Sequence, residues 1–162
     1  MNINIAVVGA CGRMGQRLVA LAKEDADLTL VAAIDWEKHP NIGKDAGELA
    51  GMGAVGVPVT GSLPITVTPD VVIDFSTPAG TLAILKTCEE RKLTLVVATT
   101  GHSESERAAI LAAAHQTAIL FSPSMSLVVN LLFKLVGEAA VALKGKGFDV
   151  EIVERHHRFK KD

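Results

Sequence analysis

Long apolar runs are missing from this sequence. No stretch near 20 residues is free of polar groups, and a membrane-crossing helix needs about that many, so no transmembrane span is expected. The amino terminus lacks a basic segment ahead of a cleavable apolar stretch, and 3–8 is short enough to be a first strand. A cytoplasmic location is the expectation. Cysteine is scarce, with two in 162 residues. Cys11 in a glycine-rich turn and Cys88 in an expected helix do not make a disulfide framework. An excess of one charge is also lacking: 16 Lys and Arg against 18 Asp and Glu give a net charge of −2. That balance argues against a general nucleic-acid binder. There is no internal repeat, no low-complexity tract, and no spaced Cys, His, Asp and Glu set to suggest a metal site.

What is present is apolar and periodic. Hydrophobic residues make up 49% of the chain, which suits an α/β fold whose parallel strands are buried on both faces. Strands are expected at 2–8, 28–34, 71–75, 93–98, 118–121 and 148–154. Helices are expected at 13–24, 79–91, 103–115 and 126–143, with a short helix near 45–50 inside a glycine- and proline-rich stretch at 36–70. Met14, Leu18, Leu21 and Ala22 are read as the apolar stripe of the first helix. Pro78 stands at the entrance of the second long helix. Ser103 and Glu106 have capping-box spacing. Repeated β-α-β units of this kind call for a doubly wound, Rossmann-like parallel sheet. Residues 1–125 are read as a dinucleotide-binding domain, and 126–162 as a hinge, a long helix and the start of a substrate domain.

The turn Gly9-Ala10-Cys11-Gly12-Arg13-Met14-Gly15 lies where a strand passes into a helix. Gly9 would allow the tight turn, Gly12 the close approach of a pyrophosphate, and Gly15 close helix–sheet packing. Amide groups at the helix start can bind phosphates. Arg13 either adds charge at the phosphates or faces solvent. Cys11 sits where a helix start can lower a thiol pKa, but it is read as a small turn or core residue. Asp35 closes the second strand, twenty residues after Gly15, and could accept hydrogen bonds from ribose hydroxyls. A carboxylate there would repel a 2′-phosphate, and Lys38 is the nearest cation. NADH is therefore expected to be preferred, with NADPH possible. The loops Phe75-Ser76-Thr77-Pro78 and Ala98-Thr99-Thr100-Gly101-His102 follow two further strands and could line the nicotinamide side. Each single hydroxyl there is more simply a helix cap, and Asp74 is read as supporting a strand end.

The sequence ends in Arg155-His156-His157-Arg158-Phe159-Lys160-Lys161-Asp162. Two adjacent histidines with four cationic side chains could hold a polyanionic small molecule and protonate it near neutral pH. One histidine could act as general acid while the other fixes the ligand. The lysines or arginines could pair with carboxylates, although solvent exposure is the plainer expectation for each arginine.

GACGRMG at 9–15, ATTG at 98–101 and ERHHRFKKD at 154–162 resemble successive signatures of the 4-hydroxy-tetrahydrodipicolinate (dihydrodipicolinate) reductase family. The resemblance covers essentially the whole chain. It implies NADH- or NADPH-dependent reduction of a cyclic dicarboxylate, with loss of water, to tetrahydrodipicolinate in lysine and diaminopimelate biosynthesis. It also implies His156 as the acid, Lys160 as a catalytic or substrate-binding lysine, and His157 as a substrate-binding neighbour. Gly9, Gly12, Arg13, Met14, Gly15, Asp35, Ala98, Thr99, Thr100 and Gly101 match cofactor positions of the family; Ala10 and Cys11 in the same turn and Phe75 in the loop after the third strand also belong to the expected cofactor set. Ser122, Ser124 and Met125 fall in a segment like the family's loop and hinge, so they join the cofactor set.

Two departures stand out. Ser124 replaces a common asparagine and Val128 a usual glycine. The family also continues beyond the position of Asp162 into a sheet-rich oligomerisation domain. A longer natural chain, forming a homotetramer, is the expectation. The alternatives are a nucleotide-binding fragment or sensor without efficient catalysis, and another NAD-dependent reductase of a small acidic metabolite.

Overall fold

Alternation along the first strand explains how one sheet serves two cores. In β1 (Ile3–Val8), Ala6 and Val8 point into a cluster with Ile34, Val72, Leu95 and Val97. Ile5 and Val7 point the other way, towards Ala33 and Val59, as a period of two requires. The computed structural model describes residues 2–153 and Arg155. It comprises two compact units, Met1–Pro123 and Ser124–Asp162.

In the first unit β1 is joined by β2 (Leu28–Ile34), β3 (Val59–Thr60), β4 (Val71–Asp74), β5 (Thr94–Val97) and β6 (Ile119–Phe121). The six strands form one sheet in the order β3-β2-β1-β4-β5-β6, and every neighbouring pair is parallel. Helix α1 (Arg13–Glu24) packs on one face through Val19 and Ala22. Helices α3 (Pro78–Arg91) and α4 (Glu104–Ala113) cover the other through Ile84, Leu85, Cys88, Ile110 and Ala113. The chain leaves β1 towards β2 on one side and resumes at β4 on the other. A doubly wound sheet therefore has its switch point between β1 and β4, where such folds bind ligands.

The expected stripe of α1 needs correction. Met14 and Leu21 are exposed and Leu18 is only half-buried, whereas Gly15, Val19, Ala20 and Ala22 are buried. Gly15, Ala20 and Ala22, with the short-armed Val19, let the helix axis come close to the sheet, which turns the longer side chains to the flanks.

Between β2 and β4, the stretch containing α2 (Ala46–Leu49) is knotted by Asp45. Its carboxylate accepts hydrogen bonds from the amides of Gly47, Glu48, Val55, Gly56 and Val57 at 2.7–3.2 Å. These bonds hold the Asp45 carboxyl below its ordinary pKa, with the Val55 amide contributing most.

In the second unit Ser126 caps α5 (Leu127–Leu143) by accepting from the Val129 amide, and Asn130 Nδ2 donates to the carbonyls of Ser124 and Ser126. No residue of α5 is buried. The strand expected at 148–154 is not found: residues 148–153 have no strand structure, and Phe148, Val150, Ile152 and Val153 are exposed. An alternating apolar pattern makes a strand only when a neighbour completes its hydrogen-bond ladder, and no described residue pairs with this segment. Glu154 lies outside the described residues. Among the described residues, no helix is long and apolar enough to cross a membrane.

Candidate functional site

The glycine-rich turn is built by contact as much as by conformation. Gly9 has φ +77°, and a Cβ on it would stand 2.4 Å from the Phe75 carbonyl oxygen. A Cβ on Gly15 would stand 2.0 Å from the Gly9 oxygen and 2.7 Å from Ala10 Cα. Gly15 thus sets how closely α1 meets the end of β1. Gly12 is different: its Cβ would meet only the Gly9 oxygen, at 3.2 Å. It is the N-cap of α1, makes no side-chain cap bond, and no acidic residue follows in the first turn. The first turn of α1 therefore supplies no side-chain cap or acidic residue of its own to the positive end of the helix. Arg13 and Met14 at this end are exposed.

Asp35, at the carboxyl end of β2, reaches across to this turn. One carboxylate oxygen accepts from the Cys11 amide at 2.8 Å and the other from the Trp36 amide at 2.8 Å. Beside these two amides and the Cys11 thiol, the carboxylate still has acceptor capacity for an incoming hydroxyl. The Cys11 thiol is pushed up to about 11, chiefly by burial and then by the negative charge of Asp35. The lowered thiol pKa that a helix start can produce is absent, and Cys11 is a turn residue.

A cleft of about 740 Å³ opens at this edge. Of the residues that sequence reading expects at the cofactor, Gly9, Cys11, Gly12, Asp35 and Phe75 line it. That reading missed Trp36, His39, Leu63 and the α3 face formed by Gly80, Ala83 and Thr87, all of which also line the cleft. The segment after Asp35 could have pointed to Trp36 and His39. Nothing local marks Leu63 or Thr87, which arrive through the fold.

Asp74, expected to support a strand end, does more. It is fully buried at the end of β4. One oxygen accepts from the amide and hydroxyl of Ser76, at 3.1 and 2.5 Å, and the other from the hydroxyls of Thr81 and Thr99, at 2.5 and 3.0 Å. Thr99 Oγ1 in turn accepts from the Ser76 amide at 2.9 Å. Thr77 caps α3 by accepting from the Gly80 amide, with Pro78 following it. The expected loops after β4 and β5 therefore share one edge and are bonded together. Ala98 and Thr99 are buried, Thr100 is half-buried, and Gly101 has φ +83°. Ser122 follows β6, and its amide donates to the Val97 carbonyl at 3.0 Å. Ser124 and Met125 belong to the second unit. His156, His157 and Lys160 lie outside the described residues.

The residues present fit a dinucleotide. An open helix N-terminus offers amides to a pyrophosphate, a carboxylate stands at the end of the adjoining strand for a ribose, and close contacts exclude a Cβ at Gly9 and Gly15. The fold is a Rossmann-type doubly wound sheet, with a cleft at its switch point.

Comparison with known proteins narrows the class. The family described as "Dihydrodipicolinate reductase, N-terminus" matches residues 3–125. The 4-hydroxy-tetrahydrodipicolinate reductases of Sinorhizobium fredii and Methylococcus capsulatus are each 45% identical to this chain, over 99% and 100% of it, and over 60% of their own length. A dipicolinate-bound dihydrodipicolinate reductase from Paenisporosarcina sp. TG-14 superposes with a TM-score of 0.67 at 25% identity, covering 86% of this chain and 54% of that one. The chain belongs to the dihydrodipicolinate reductase family. It spans about 60% of the length of these relatives.

Proposed function

We propose that this chain is the coenzyme-binding part of an NAD(P)H-dependent reductase that converts 4-hydroxy-tetrahydrodipicolinate to tetrahydrodipicolinate with loss of water, in lysine and diaminopimelate biosynthesis. One observation carries the reading: the uncapped end of α1 and the Asp35 carboxylate border one cleft, in a chain of this family. The amides of Arg13 and Met14 would bind the pyrophosphate. The free lone pairs of Asp35 would accept from the adenosine ribose hydroxyls. Phe75 and the Ala98–Gly101 loop would border the nicotinamide side, with Ser122 in the same unit; a coenzyme role for Ser124 and Met125 rests on the family resemblance alone. When bound, the reduced nicotinamide supplies the hydride.

His156 supplies the proton, while His157 and Lys160 hold the substrate carboxylates. Their positive charge accelerates the reaction only where it meets charge that grows in the transition state; equal binding of ground and transition states would lower KM alone. Asp35 disfavours a 2′-phosphate, so NADH is preferred and NADPH accepted more weakly. On this reading the enzyme acts in the cytoplasm, and as a homotetramer, as the family resemblance implies.

Nicotinamide fluorescence titration of this chain, with NADH and with NADPH, tests the coenzyme part. Substrate-dependent NADH oxidation by the longest natural chain, and by its His156→Ala and Lys160→Ala variants, tests the rest. Near-normal kcat and KM in both variants would remove their assigned roles. Binding of NADH without substrate-dependent oxidation would leave a nucleotide-binding protein only.

A further inference from the structure

Two loops of the proposed coenzyme site meet on one buried carboxylate. Asp74 lies at the carboxyl end of β4, paired with Val8 of β1 on one side and Val97 of β5 on the other. It therefore sits at the switch point of the sheet, beneath the crevice where such folds bind ligands. Its backbone carbonyl accepts from the Ala98 amide at 3.0 Å, which anchors the start of the loop after β5. Its side chain holds Ser76 in the loop after β4, Thr99 in the loop after β5, and Thr81 one turn into α3. Thr99 closes the ring by accepting from the Ser76 amide.

Gly80 belongs to the same arrangement, because a Cβ there would stand 2.5 Å from Ser76 Oγ. Ser76 and Gly80 both line the cleft, whereas Thr81 is fully buried and does not. A fully buried carboxylate with four hydrogen bonds, and no cation paired to it among the described residues, holds its donors tightly, because an unsatisfied donor or acceptor there is costly.

We propose that Asp74 is a positioning residue for the nicotinamide half of the coenzyme. Resting on the coenzyme reading above, it locks the loops after β4 and β5 into one arrangement before ligand arrives, so that nicotinamide binding pays no cost for ordering them. Its influence passes through Ser76 and Thr99, and its side chain bonds to neither Gly12 nor Asp35 at the adenosine end. Asp74 itself touches no coenzyme.

The test measures NADH and ADP-ribose affinities of this chain by calorimetry, with the emission of bound NADH as a spectroscopic signature. Thr81→Val deletes one hydroxyl of the ring at a site remote from ligand, and Thr81→Ser restores it. Thr81→Val is expected to weaken NADH binding about tenfold and to lose the enhanced emission. ADP-ribose binding should stay within about twofold, because one half of the ligand is unaffected, and Thr81→Ser should recover both NADH signals. Asp74→Asn should resemble Thr81→Val, and the double variant should be little worse than either single one, as members of one network are non-additive.

Equal losses of NADH and ADP-ribose affinity would mean that Asp74 only supports the fold, and would overturn the proposal. So would full NADH affinity in Thr81→Val, or additive effects in the double variant. If Asp74→Asn does not fold, the Thr81 pair decides alone. Failure of the parent chain to bind any nicotinamide dinucleotide would instead remove the coenzyme reading on which the proposal rests.

Discussion

Substituting Gly15 and Gly12 by alanine should separate folding from ligand binding within one turn. Inside a helix, Gly15→Ala would by propensity stabilise by about 1 kcal/mol. The added Cβ, however, would stand 2.0 Å from the Gly9 oxygen and 2.7 Å from Ala10 Cα. Both obstacles are backbone, so no side chain can rotate away. Restoring ordinary contact would lift α1 from the sheet by roughly 1 Å in an interior packed as tightly as a crystal. That movement would loosen Val19 and Ala22, which are buried beneath the helix. Overpacking costs about 1–3 kcal/mol and more when backbone must shift, so the clash outweighs the propensity. Net destabilisation of about 2 kcal/mol is expected.

Gly12→Ala meets one oxygen at 3.2 Å at the helix N-cap, a contact relieved by a few tenths of an ångström. Its stability should stay within about 1 kcal/mol of the parent, while NADH affinity falls about tenfold as the Cβ enters the space of the pyrophosphate. Urea denaturation and NADH titration of both variants give the four numbers needed. A Gly15→Ala chain as stable as its parent would refute the packing argument, and a Gly12→Ala chain with parental affinity would refute the assignment of Gly12.

Asp35→Ala should reduce NADH affinity more than NADPH affinity, narrowing the ratio of their dissociation constants. Both should fall somewhat, since the Cys11 amide also loses its acceptor; an unchanged ratio would end the role of Asp35 in selecting between them. The Asp45 carboxyl has a depressed pKa in the folded chain. Its contribution is thus present above the ordinary value of 3.8 and lost as pH falls through the lower folded value. Amide exchange at Val55, Gly56 and Val57 should accelerate in that acid range, and in Asp45→Ala at neutral pH; slow exchange in the variant would contradict the knot. Cys11 at about 11 and Cys88 at about 12 should both resist iodoacetamide at neutral pH, because the thiolate is the nucleophile. Rapid labelling of native protein, followed by peptide mapping, would refute this.

Local chemistry made much of the first unit legible. Strand alternation, Pro78 behind a capping Thr77, and the Ser103–Glu106 capping box are rules that act within a few residues, and each is realised. The same locality explains what was not legible. The expected α1 stripe rests on apolar periodicity, yet proximity to the sheet puts Gly15, Val19, Ala20 and Ala22 inside and the longer Met14 and Leu21 outside. The apolar alternation at 148–153 has the right period, but pairing is a property of two segments and no described strand accompanies this one.

The site divides along the same line. Gly9, Gly12, Gly15 and Asp35 were readable because a strand–turn–helix motif and a fixed spacing carry their chemistry within a single βαβ unit. Asp74, Ser76, Thr81 and Thr99 lie up to 25 residues apart in sequence and have no motif linking them. Only the parallel pairing of β4 with β5, together with the start of α3, brings their polar atoms within hydrogen-bond distance. A buried Asp at the end of an apolar strand, followed closely by hydroxyl residues, is nevertheless a local contradiction. Nothing in β4 itself can satisfy that carboxylate, so its presence required donors from elsewhere. From the sequence Asp74 reads only as support for a strand end; its burial and the members of the polar junction come from the fold.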